Sequence, residues 1–153
     1  MSRAFVKEQD DGAEDFPERP VSSNPNFVTP EGVAAIETEL LRLAKEHAQA
    51  RAAEDKGTMA RTARDLRYWQ ARRASAQVVE PPADKETVQF GSTVTLERDD
   101  GRVQTFRIVG EDEAEPSEGT ISHASPLARA LFGKRVGDTV KAGAGEAEVT
   151  RIG

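Results

Sequence analysis

The chain has 153 residues, with 27 Asp and Glu against 21 Lys and Arg and a formal net charge of −6, so bulk charge does not hold it on nucleic acid. With no Cys and two His, a disulfide framework, a thiolate zinc site, a thiol nucleophile and a His-rich metal centre are excluded. No apolar run nears the roughly 20 residues that span a bilayer, and MSRAFVKEQDDGAEDF lacks the apolar stretch of a secretory signal; a cytoplasmic protein with no membrane partner is expected.

Leu, Ile, Val and Phe make up just under about 20 % of the chain, the level of disorder-prone sequences. The deficit is uneven. Residues 1–26 carry Glu8, Asp10, Asp11, Glu14, Asp15 and Glu18 against Arg3, Lys7 and Arg19, and Pro17, Pro20 and Pro25 interrupt regular structure. So few apolar side chains do not offset the entropy of ordering the chain, which predicts a disordered acidic tail over 1–26. If the tail instead docks on a partner, Phe5 and Phe16 are its anchors.

Residues 27–80 read as helical. Thr29-Pro30-Glu31 supplies an N-cap, a proline at the first helical position and an acid in the first turn. Val33, Ile36, Leu40, Leu43, His47 and Ala50 then alternate spacings of three and four, the stripe of a coiled-coil seam. The stripe stops near Glu54-Asp55-Lys56-Gly57, and Gly57 is the strong breaker, which predicts a turn within a few residues of it. A second helix from about Thr58 to Gln77 would offer Met59, Ala63, Leu66 and Trp69 to the seam. So short a connection makes the helices antiparallel neighbours, and Pro81-Pro82 ends them.

Residues 83–153 change period. Thr93–Leu96 alternates, Asp99-Asp100-Gly101 is a hairpin signal, and Val103–Val109 alternates again. Glu111–Glu118 reads as a solvated acidic loop, Thr120–Ser122 as a short strand. Ser125-Pro126 caps and opens a short helix that Gly133 closes, and strands follow at Thr139–Lys141 and Glu146–Ile152. The expected class is α+β: an antiparallel helical hairpin, then a small antiparallel sheet domain with one short helix.

Phe106-Arg107-Ile108-Val109-Gly110, Ile121-Ser122, Ser125-Pro126-Leu127-Ala128-Arg129-Ala130-Leu131, Gly133-Lys134 and Val136-Gly137-Asp138 occur in that order. The series closely resembles the carboxyl-terminal domain of the Gre family of bacterial transcription elongation factors. Phe27 to Gly32 resembles the opening of the Gre coiled coil, and Arg67-Tyr68-Trp69 with Val78-Val79 the end of its second helix. The resemblance implies an FKBP-like carboxyl-terminal domain that binds RNA polymerase, and a coiled coil that enters the polymerase secondary channel. It also implies that the chain is a cofactor of the polymerase rather than an enzyme, with RNA polymerase and nascent RNA as partners and a monomeric state.

The family's acidic tip motif, a Gly-Asp-x-Ser-Glu-Asn-Ala type string, does not occur, and the helices are shorter than is usual in the family. The only tip acids are Glu54 and Asp55. They are either a substitute pair that positions Mg2+ shared with the polymerase active centre or solvated turn residues, with Asp55 capping the second helix. No intrinsic cofactor is expected. Arg61, Arg64, Arg67, Arg72 and Arg73 oppose the single acid Asp65; the resemblance puts Arg61, Arg64 and Arg67 near RNA, and the alternative is a solvated charged face paired with neighbours such as Glu46 on the first helix. Ser125, Pro126 and Arg129 correspond to the polymerase-contacting loop. Two alternatives stay open: a Gre-like channel occupant that competes with other factors without promoting cleavage, and, remotely, a peptidyl-prolyl isomerase.

Overall fold

The apolar stripe that starts at Val33 lies along one long helix in the computed structural model, which describes residues 16–153. Helix α1 runs Pro30–Ala52 and α2 runs Lys56–Ser75. Two short strands flank the helical stretch, β1 (Phe27–Val28) and β2 (Gln77–Val78), paired in parallel with Phe27 opposite Gln77. The remaining strands are β3 (Thr93–Arg98), β4 (Val103–Val109), β5 (Thr120–Ser122), β6 (Thr139–Ala142) and β7 (Gly145–Ile152), with α3 (Pro126–Leu131) between β5 and β6. The contacts divide the chain into two units. One takes in Val33–Ala76 and the described residues before Asn24; the other takes in Asn24–Gly32 and Gln77–Gly153.

In the first unit the predicted stripe of α1 is the buried one: Leu43 is fully buried, and Ile36 and Ala50 nearly so. Three contacts join the helices in reverse order. Glu37 pairs with Arg73 at 2.9 Å, Glu46 with Arg61, and His47 Nδ1 lies 2.7 Å from Thr62 Oγ1. Later residues of α1 thus meet earlier residues of α2, the relation of antiparallel neighbours. The expected seam of α2 differs from the observed one. Met59, Ala63, Leu66 and Trp69 are half-buried, while Thr62 and Arg72 are the buried residues. Thr62 tolerates this position because its hydroxyl donates to the Thr58 carbonyl at 2.8 Å. With that proton committed, His47 Nδ1–H donates across the seam to the Thr62 oxygen.

The turn between the helices is not at Gly57, which lies inside α2. Glu54 adopts the left-handed conformation, φ +57°. The Asp55 N–H donates to the Ala50 carbonyl at 2.9 Å and the Glu54 N–H to the Arg51 carbonyl at 3.1 Å. These are the two bonds of a Schellman helix end, with a glutamate where glycine is usual. The turn thus falls within a few residues of Gly57, as expected, with a glutamate rather than a glycine at its left-handed position.

The acidic tail was expected to be disordered over 1–26; residues 1–15 lie outside the described ones. Residues 16–19 depart from the expectation, for Phe16, Glu18 and Arg19 contact side chains of α2. The Arg19 guanidinium sits 4.0 Å from the Tyr68 ring centroid, and Arg67 pairs with Glu18 at 2.5 Å. Ion pairs and ring contacts, not apolar burial, place this segment, so a count of apolar residues misses it.

In the second unit β3, β4, β6 and β7 pair antiparallel in a sheet ordered β5-β4-β3-β7-β6. The sheet is not wholly antiparallel: β5 pairs in parallel with β4, Arg107 opposite Thr120. The loop from Gly110 to Gly119 makes that possible, because it carries the chain back to the start of the pairing. Alternation puts Val94, Leu96, Ile108, Val140, Ala147 and Val149 on one buried face, closed by Ala128 and Leu131 of α3. Thr150 is the extra residue of a bulge against Thr95, and its hydroxyl donates to the Thr95 carbonyl at 3.2 Å.

The loop after β4 is not simply solvated. Glu113 accepts hydrogen bonds from the Thr29 N–H at 2.9 Å, the Gly110 N–H at 3.0 Å and the Thr29 hydroxyl. Thr29 Oγ1 in turn accepts from the Gly32 N–H at 3.0 Å, capping the first turn of α1. A β-carbon on Gly32 would collide with this carboxylate, and one on Gly110 would lie 2.8 Å from it. Glu111 accepts from Asn24 Nδ2 at 2.9 Å. A run of acids does not show in advance which carboxylate will find donors. Replacing Glu113 with Ala leaves partly buried N–H groups unmet, and should cost about 2 kcal/mol in a urea titration. Glu113→Asp, too short to reach both segments, should recover less than half of that loss.

Candidate functional site

Three places hold the residues singled out from the sequence. At the turn, Glu54 and Asp55 are adjacent and exposed. Asp55 is the N-cap of α2: its Oδ1 accepts from the Thr58 N–H at 3.2 Å and its Oδ2 from the Thr58 hydroxyl at 2.7 Å. The Thr58 hydroxyl, then its N–H, hold the Asp55 carboxyl below its ordinary value, with a smaller contribution from Arg61. Both oxygens of one member of the proposed metal pair are thus already engaged, and Glu54 is the freer donor. Among the described residues no three His, Asp or Glu side chains gather as a metal site.

On α2 the basic residues are mostly paired. Arg61 meets Glu46 and lies 3.9 Å from Asp65; Arg64 meets Asp65 at 2.9 Å. Arg67 makes a two-pronged contact with Glu18, Nε to Oε1 at 2.9 Å and Nη2 to Oε2 at 2.5 Å. Its hydrogen bonds hold the Glu18 carboxyl below its ordinary value. Arg72, counted with this basic set from sequence, is buried, and Arg73 belongs to the cross-helix pair with Glu37. The structure therefore brings Arg61 and Arg64 together at Asp65, pairs Arg67 with Glu18, and separates Arg72 from them by burial. Sequence reasoning missed Phe16, Glu18, Arg19 and Tyr68 as neighbours of this face. The available signal was the match between an acidic, aromatic leader and a helix carrying the opposite charge.

In the sheet unit, Ser125 caps α3, its Oγ accepting from the Ala128 N–H at 3.2 Å. Pro126 and Arg129 are exposed, whereas Ala128 and Leu131 face the core. The helix presents one face inward and leaves the other to solvent. Nearby, His123 packs edge-on against Phe27 and Phe90, with centroids 5.4 and 5.7 Å away. Nothing in the sequence had linked these three rings.

A helical stretch followed by a sheet with one short helix makes this an α+β protein. Residues 83–152 match the carboxyl-terminal profile described as transcription elongation factor, GreA/GreB. The chain is 33 % identical over 132 residues to a transcription elongation factor GreA of Desulfovibrio desulfuricans, covering 74 % of this chain and 82 % of that one. It is 40 % identical over 116 residues to GreA of Vibrio parahaemolyticus, covering 71 % and 72 %. The chain belongs to the GreA/GreB family. Other curated relatives are spanned over only about half their length, as with GreA of Alkalilimnicola ehrlichii, 49 % identical over 80 residues and 51 % covered. The crystal structure of GreA factor homolog 1 of Thermus thermophilus is similar over 85 % of this chain and 99 % of that one, at 23 % identity and a TM-score of 0.41, too loose a likeness to bear on function. No helix among the described residues is long and apolar enough to cross a membrane.

Glu54→Gly removes a left-handed glutamate from the turn and should raise stability by about 1 kcal/mol, read from the urea midpoint. Acid acts on the neighbouring cap. Because the folded-state carboxyl of Asp55 is depressed, its stabilisation is complete above its ordinary value of 3.8 and is lost as pH falls below it. Asp55→Asn keeps a neutral cap, so its stability relative to the wild type should improve as pH drops from 5 to about 2.

Proposed function

We propose that this chain is a transcription elongation regulator that binds RNA polymerase through its sheet unit and places its helices in the polymerase secondary channel. There it acts on paused or backtracked complexes as a cofactor, monomeric and cytoplasmic, with the polymerase performing any chemistry. Family membership through relatives matched across both the helical and the sheet residues carries this reading. The FKBP-like and coiled-coil descriptions belong to the same reading. Ser125, Pro126 and Arg129 make the polymerase contact, supported by the exposure of Pro126 and Arg129 at the start of a helix anchored from its other face. Arg61, Arg64 and Arg67 face nascent RNA, where guanidinium groups suit phosphate oxygens.

The tip favours occupancy of the channel over stimulation of cleavage. A second Mg2+ in a two-metal site activates water and holds the attacking and leaving oxygens, and it takes hard oxygen ligands. Glu54 and Asp55 are of the right chemistry, but Asp55 spends an acceptor site of each oxygen on the α2 cap. One free carboxylate and one restrained one make a poor ligand pair. The prolyl isomerase reading has less behind it: Phe90, Phe106 and Phe132 pack against the core instead of standing free to line a proline pocket.

Two measurements test the reading. Pro126→Glu leaves the Ser125 cap in place, and should weaken binding to core RNA polymerase at least about tenfold with an unchanged circular dichroism spectrum. Unaltered affinity would put the contact elsewhere. On backtracked elongation complexes the wild type should give little or no cleavage at raised magnesium while competing with a cleavage-active Gre factor. Strong cleavage that disappears in Glu54→Ala, Asp55→Ala would reverse the preference for occupancy.

A further inference from the structure

Residues 16–19 lie on the part of α2 that offers guanidinium groups and aromatic rings. The Phe16 ring lies 5.2 Å from the Arg64 guanidinium. Glu18 fills the fork of Arg67 with both carboxylate oxygens. The Arg19 guanidinium stacks 4.0 Å from the Tyr68 ring centroid, stands 5.6 Å from that of Trp69, and reaches Asp65 at 3.3 Å. Tyr68 and Trp69 meet edge to face at 5.1 Å.

Each contact has a counterpart in a nucleotide strand. A carboxylate in a guanidinium fork takes the place of two phosphate oxygens. An aromatic ring over a guanidinium takes the place of a base. A planar cation on Tyr68 covers a ring face on which a base would otherwise stack. We propose that residues 16–19 form a strap that mimics a nucleotide on α2, so that single-stranded nucleic acid gains this face only by displacing them. The proposal rests on the reading that Arg64 and Arg67 face RNA, and adds control of that face by the chain itself. Displacement is feasible because the strap holds by one exposed ion pair, one partly buried pair and cation–ring contacts, with no apolar core beneath it.

The test uses the full chain, a fluorescein-labelled ten-nucleotide RNA, anisotropy at low ionic strength, and the emission of Trp69, the single tryptophan. The double variant Glu18→Ala, Arg19→Ala removes the strap's ion pairs and the Arg19 ring contacts without changing net charge, leaving only the Phe16–Arg64 contact. It should bind the RNA about tenfold more tightly than the wild type. Its Trp69 emission before RNA is added should differ from that of the free wild type, and the two proteins should converge once both are saturated with RNA. Adding Arg64→Ala and Arg67→Ala should erase the gain. Equal affinity of wild type and double variant, with binding still weakened by the two arginine substitutions, overturns the strap and leaves the RNA-facing reading intact. Binding in neither form that depends on Arg64 and Arg67 overturns both. A urea midpoint for each variant within experimental error of the wild type ties either result to the face rather than to unfolding.

Discussion

The carboxylate of Glu113 is the contact on which the sheet unit's organisation around its first strand depends. Three donors converge on it, two from Thr29 and one from Gly110. Through Thr29 it is coupled to the cap on Gly32, so the end of β4, the end of β1 and the first turn of α1 share one anion. The charge also suits the place, since a helix start presents unpaired N–H groups and favours negative charge. Neighbouring features follow from this geometry. Glycine is needed at 32 and 110 for the carboxylate to come so close. The loop that delivers Glu113 is the same one that lets β5 return parallel to β4.

How far the fold could be read from the residues depended on which force places each element. The α1 stripe was legible because Ile36, Leu43 and Ala50 are buried by the hydrophobic effect, which leaves a periodic trace. The β3 and β4 strands and the Ser125 cap were legible for similar reasons: alternation and capping are local. Helix α2 was harder, since its buried residues are a threonine that satisfies its hydroxyl within the helix and an arginine. The turn was legible to within a few residues, but not its left-handed glutamate, for which residue type gives no cue. Segment 16–19 and Glu113 are placed by charge and hydrogen bonding between residues far apart in sequence, and such pairings have no period to detect.

The candidate site divides along the same line. Ser125 and Pro126 could be found because a capping pair is a local pattern, and Asp55 could be read as a cap for the same reason. The state of the basic face could not. Five arginines against one acid left an RNA-facing patch and a face paired with Glu46 equally open; Arg61 does meet Glu46, but Asp65 also draws Arg19, Arg61 and Arg64 around it, and Glu18 arrives from a separate segment. Counting charges along one helix overstates what that helix presents to a ligand, because neighbouring segments supply the counter-charges.

The five-stranded sheet ends in β5, three residues long, and in β6, four residues long, whereas its inner strands have six to eight. An edge strand displays unpaired N–H and carbonyl groups that can recruit a strand from another molecule, and the hazard grows with its length. Here a newcomer would find few rungs to pair with, and at β6 it would meet exposed Lys141. The brevity of the edges guards against self-templated aggregation, and it lets the inner strands keep the β-branched residues that the core requires.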